Sequence, residues 1–163
     1  MLGNFHLELA FFGALGTFLA DSGVEYLLTE AGVLAEGSLA GFMKGKFYNR
    51  CTRVHQILAA VMERALFSKF LEVREDAEKS LAHEVMTDCD NTVEHCQRVA
   101  GNAAFNSLIK RYETYFHDAI DGKYGATAAY WAIYAYLMNR VYHELQRAVR
   151  TNDVDSFKSS QES

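Results

Sequence analysis

Apolar positions recur along this chain at intervals of three and four, the spacing of one helical face, and no stretch alternates as a strand would. Phe5 to Ala20 has helical length, with Gly13 and Gly16 three apart, which leaves room for a close helix neighbour. Asp21-Ser22-Gly23 stops it. Val24 to Leu34 reads as a shorter helix, broken by Gly32 and closed by Glu36-Gly37. Ser38 is placed to cap a third helix through Met43, ended by Gly45.

From Phe47 the pattern lengthens. Val54, Leu58, Val61, Met62, Ala65, Leu66 and Phe70 share one face, and the polar run Glu72 to Lys79 predicts a turn. A second long helix is expected from about Ser80, its stripe made by Leu81, Val85, Cys89, Val93, Cys96, Ala100, Ala104, Leu108 and Tyr112. Asp121-Gly122-Lys123-Tyr124-Gly125 is the clearest loop. The last long helix runs from Ala126 to Val149, with Trp131, Ala135, Met138, Tyr142, Leu145 and Val149 on one face. Thr151-Asn152-Asp153 ends it, and Asp153 is placed to cap one more turn through Phe157. The expected fold is all-α, with short N-terminal helices packed on an antiparallel bundle of about three long ones. Residues 1–157 read as a single helical domain and 158–163 as a polar tail.

Composition agrees with a globular helical chain. Half of the 163 residues are hydrophobic, 23% are charged, and proline, which breaks helix interiors, is absent. The apolar run Leu9 to Ala20 is too short to cross a bilayer, and His6 and Glu8 stand where a signal peptide would carry positive charge. It reads as a core helix, with no membrane partner. Three cysteines, Cys51, Cys89 and Cys96, read as free thiols, so the expected location is intracellular.

Candidate chemistry is sparse. His83, Glu84, Asp88, Cys89, Asp90, Glu94, His95 and Cys96 crowd ligand types together, but Cys89 and Cys96 are seven apart and lie on the apolar stripe. No zinc spacing, Glu-x-x-His pair, nucleophile elbow or phosphate-binding glycine loop occurs, so no metal, cofactor or catalytic residue is assigned. The net charge of −5 excludes a chain-wide nucleic-acid surface. Lys44, Lys46, Arg50 and Arg53, interleaved with Phe47 and Tyr48 at a helix start, form the best local basic patch and the candidate contact for nucleic acid or another acidic partner. Arg140, Arg147 and Arg150 form a second set, weakened by Glu144.

Several of these residues carry a resemblance. Gly3-Asn4-Phe5-His6, then Gly13-Ala14-Leu15-Gly16 and Ala20-Asp21-Ser22-Gly23, resemble a family of unknown function found in transposon-like proteins of animals and fungi. Gly45-Lys46-Phe47-Tyr48-Asn49-Arg50 with His55 belongs to the same pattern. So does the late helix from Tyr130-Trp131 to Arg147, Arg150 and Asn152-Asp153. The order and spacing of the motifs over nearly the whole chain carry the likeness.

In that family the Gly-x-x-His segment follows a strand of a ribonuclease-H-like transposase core. Some members hold an acidic residue where this chain has Asn4. The resemblance thus implies the helical segment of a larger transposase-like protein, with Gly3, His6, Gly45, Lys46 and Arg50 as motif residues. The strands with their metal-binding carboxylates would lie elsewhere. A non-catalytic binding or assembly module is therefore expected, with nucleic acid or a transposase-like core as partner. A remnant of a divalent-metal nuclease and a homo-oligomer or partner-helix binder are the alternatives.

Overall fold

The computed structural model describes the backbone of residues 2–87 and 92–151 and the side chains of 6–85 and 92–151. Among these residues the fold is all-α, as the periodicity predicts. The helices are α1 (Leu2–Leu19), α2 (Val24–Glu30), α3 (Glu36–Met43), α4 (Tyr48–Glu72), α5 (Asp76–Thr87), α6 (Val93–Gly101), α7 (Ala103–Ile120), α8 (Ala126–Tyr136) and α9 (His143–Thr151). A π-helical turn, Leu137–Tyr142, joins α8 to α9. The expected cap at Asp153 and the tail at 158–163 lie outside the described residues.

The chain packs as two compact units. Among the described residues, the first holds those up to Ala59 and from Tyr136 to Thr151; the second holds those between Ala60 and Ala135. In the first, Phe12, Leu15 and Leu19 of α1 are buried, as are Phe42 of α3, Cys51, Val54 and Leu58 of α4, and Tyr142 and Leu145. The fit of α1 to the end of α3 depends on glycine. A Cβ at Gly16 would overlap the Met43 carbonyl, and one at Gly45 would stand 2.5 Å from Gly13 N and Leu9 O. Gly45 also has φ +66°, the left-handed region that glycine adopts without strain.

In the second unit Phe70, Ala82, Leu108 and Tyr112 form a core over which Phe67, Leu71, Tyr115 and Phe116 pack. Leu66, Ala119 and Ala132 form another. Arg111 of α7 pairs with Glu78 of α5, and the Tyr112 hydroxyl donates to the Glu63 carbonyl at 3.3 Å. The 121–125 loop turns through Gly122 and Gly125, both at positive φ. There Asp118 accepts from Lys123 at 2.6 Å, which holds its carboxyl below the usual carboxylate range.

Several expectations change. The second helix ends at Glu30 rather than reaching Leu34, and a π-helical turn interrupts the last long helix expected over Ala126 to Val149. The long helix from Ser80 is instead α5, α6 and α7. Thr92 starts α6 by accepting from His95 N at 3.1 Å, and Asn102 starts α7 by accepting from Phe105 N at 3.0 Å. These caps satisfy amides that open a new helix, and they outweigh the continuing apolar stripe. The break also resets the faces: His95 is buried and Cys96 exposed, the reverse of the expected stripe. Finally, α3 begins two residues before Ser38, from Ala35, which offers no side-chain cap.

A candidate nucleic-acid interface at the start of helix α4

Lys44, Lys46, Arg50 and Arg53 fall where α3 ends and α4 begins, in the first unit, and all four are exposed. None of them forms a salt bridge among the described residues. Between Glu36 and Glu63 the chain carries these four cations and no carboxylate, so this stretch of sequence is positive within a net-negative chain, although the buried Glu8 approaches it through Tyr48. The first turn of α4 holds no acidic residue either. Cations there face the positive end of the helix dipole, the arrangement that a helix tends to avoid.

Phe47 occupies the cap position of α4. Its carbonyl accepts from Arg50 N at 2.9 Å and Cys51 N at 3.1 Å. Its φ is +66°, which is rare for a bulky residue. The residue is 63% exposed. Its ring edge lies over Gly41, where a Cβ would stand only 2.9 Å from Cε2. The Arg50 guanidinium lies over the ring at 5.2 Å from its centre. Phe47, Tyr48, Asn49 and Arg50 line a shallow recess of about 500 Å³.

Beneath this surface lies a polar cluster that sequence reasoning missed. Glu8 Oε2 accepts from the Tyr48 hydroxyl at 2.8 Å and from the Tyr142 hydroxyl at 3.0 Å. Gln146 Nε2 donates to the Tyr142 oxygen at 2.9 Å, and Thr52 Oγ1 lies 3.3 Å from it. Glu8 is only 6% exposed, and these hydroxyls answer a carboxylate that burial would otherwise penalise. Burial, joined by the bonds to Tyr48 and Glu8, pushes the Tyr142 hydroxyl's pKa well up. A lone carboxylate in the apolar run Leu7 to Phe12 was the available signal. The π turn brings Tyr142 into the cluster from the far end of the chain; such turns recur at functional sites.

His55 is fully buried. Its ring stacks on Phe12 at 5.2 Å and lies 4.5 Å from Phe42. Burial lowers its pKa to about 3. Cys51 Sγ donates to the Lys46 carbonyl at 2.9 Å, tying α4 to the lysine-bearing turn. Of the motif residues, Gly3 and His6 lie in the first turns of α1, whereas Gly45, Lys46 and Arg50 lie at the α3–α4 turn. Contacts joining these segments run through Glu8, Leu9 and Gly13.

The other candidate groupings stay apart. Asp88, Cys89 and Asp90 lie outside the described residues. Among those described, no three His, Cys, Asp or Glu side chains stand close enough to share a metal ion. No single described helix is long and apolar enough to cross a membrane; α1 and α2 reach that length only as a pair bent by 101°.

A family model described as Domain of unknown function (DUF8702) matches residues 1–162. The chain belongs to this family. No curated protein matches it, and neither does any solved structure.

Proposed function

We propose that the chain is a non-catalytic nucleic-acid-binding module that contacts the phosphate backbone through Lys44, Lys46, Arg50 and Arg53. One observation carries this reading: four exposed cations, without ion-pair partners among the described residues, stand in a stretch without carboxylates, at a helix start. Such cations repel one another and oppose the helix dipole. A polyanion relieves both effects, and phosphates also favour helix N-termini. The Glu8 cluster supports the reading by tying Tyr48, which stands between Lys46 and Arg50, to α1. Origin in a transposon-related protein belongs to the same proposal, with a larger transposase-like core as the second partner. Genomic sequence encoding a ribonuclease-H-like core beside this reading frame would support that origin, and its consistent absence among relatives would count against it.

The test is anisotropy of labelled DNA titrated with the protein across a salt series. Each phosphate contact contributes a slope of about −0.9 in log K against log salt on duplex and about −0.7 on a single strand. Four contacts would thus give a slope of about −3 to −4. Replacing all four cations by alanine should abolish both binding and slope. Binding that persists unchanged in that variant would refute the proposal.

A further inference from the structure

We infer that the nucleic acid recognised at the α3–α4 turn is single-stranded, and that Phe47 is the platform on which an unpaired base stacks. This inference rests on the nucleic-acid reading above and narrows it. Phe47 keeps 63% of its surface exposed, and it does so among the exposed cations Lys44, Lys46 and Arg50. Its backbone adopts a left-handed conformation that bulky side chains disfavour. Conformations of this kind persist where the surroundings enforce them, and they cluster at binding sites.

The surroundings here do enforce it. Gly41 offers no side chain beneath the ring edge, and the Phe47 carbonyl is engaged by Arg50 N and Cys51 N. The neighbouring Tyr48 is tied to buried Glu8. An aromatic ring fixed outward among cations is the combination that binds single strands: the cations follow the backbone and the ring takes the base. Arg50, over the same ring, has a guanidinium plane that can stack on a base or reach a phosphate. In a duplex the bases are paired and stacked inside, so a flat ring at the surface gains little from them.

The experiment compares an oligothymidylate with a duplex of equal length, using the full chain and its Phe47→Gly and Phe47→Tyr variants. Glycine removes the ring while suiting the positive φ, so the backbone at this position is not strained by the change. Thermal melting confirms that each variant is folded. The expected result is preference for the single strand, weakened by about 5- to 100-fold in Phe47→Gly and kept in Phe47→Tyr. Duplex binding should change less than about twofold, because phosphate contacts alone support it. A 2-aminopurine probe in the strand should lose fluorescence on binding the wild type and not on binding Phe47→Gly. Equal, salt-dependent binding of both nucleic acids, unaffected by Phe47→Gly, would overturn the single-strand inference and leave the phosphate reading standing. Binding of neither at low salt would overturn both.

Discussion

The Tyr142 hydroxyl donates to Glu8 Oε2 at 3.0 Å, joining side chains 134 positions apart in a buried setting. The bond ties the start of α1 to the π-helical turn, and Tyr48 brings in the start of α4 through the same oxygen. Removing the Tyr142 hydroxyl as Tyr142→Phe should cost about 1.5–3 kcal/mol, the range for a hydrogen bond to a charged group. Glu8→Ala should cost more, since it strands both hydroxyls and opens a void. Urea denaturation read by far-UV circular dichroism gives both values. A Tyr142→Phe midpoint equal to that of the wild type would show that the bond contributes nothing.

The approach of α1 to α3 predicts opposite outcomes for the same substitution at two glycines. Gly16→Ala places a methyl on the Met43 backbone carbonyl, which no side-chain rotation can relieve. It should destabilise by about 1–3 kcal/mol. A methyl at Gly101, at the end of α6, would meet nothing within 4 Å. Gly101→Ala should stabilise by up to about 1 kcal/mol through helix propensity. Thermal melts of the two variants run side by side should move in opposite directions.

Cys51 and Cys96 should separate by reactivity. Cys51 is buried and bonded to the Lys46 carbonyl, and burial pushes its thiol pKa up, with nearby Arg50 opposing weakly. The thiolate is the nucleophile, so Cys51 should alkylate slowly in the native protein. Cys96 is exposed and should react at once. Peptide mapping after a short iodoacetamide pulse should find label on Cys96, and on Cys51 only after denaturation. Early label on Cys51 would mean that the α3–α4 turn opens readily.

The helical class, the end of α1 near Asp21-Ser22-Gly23, the span of α4 and the 121–125 loop were legible because each is a local matter of period and turn residues. The breaks at Thr92 and Asn102 were not, although both residues are good caps. The apolar stripe runs on through them, and a cap is recognised only once the chain is known to turn there. The basic residues of the candidate site could be read directly, since Lys44 to Arg53 lie close in sequence. The Glu8–Tyr48–Tyr142 cluster could not, because its members meet only through tertiary packing. The outward ring of Phe47 was equally hidden: the sequence shows an aromatic beside cations, and only its φ and exposure show that it is held away from the core.

The caps themselves yield a further test. Asn102 Oδ1 accepts from Phe105 N, and its backbone N–H closes α6 by donating to the Val99 carbonyl. Asn102→Ala removes the side-chain cap of α7 and should cost about 0.5–2 kcal/mol, whereas Asn102→Asp should retain most of it. If α6 and α7 instead form one helix in solution, alanine would raise stability, and chemical denaturation of the two variants decides between these results.

His55 sets an acid limit on the first unit. Its folded pKa is about 3, lowered by burial between Phe12 and Phe42. In the unfolded chain it returns to about 6.5. Below that value the unfolded state takes up a proton that the folded state refuses, so folding stability falls as pH drops from about 6.5 toward about 3. The contribution is fully present above the upper value and is lost at up to about 1.4 kcal/mol per pH unit within the window. Other groups add their own acid dependence, so the informative quantity is the difference from a variant. His55→Phe keeps an aromatic ring between Phe12 and Phe42 and removes the titration. Its stability, measured by urea denaturation at several pH values, should decline less steeply than that of the wild type between pH ~6.5 and ~3. Parallel curves would show that the imidazole is protonated as easily in the folded chain as in the unfolded one.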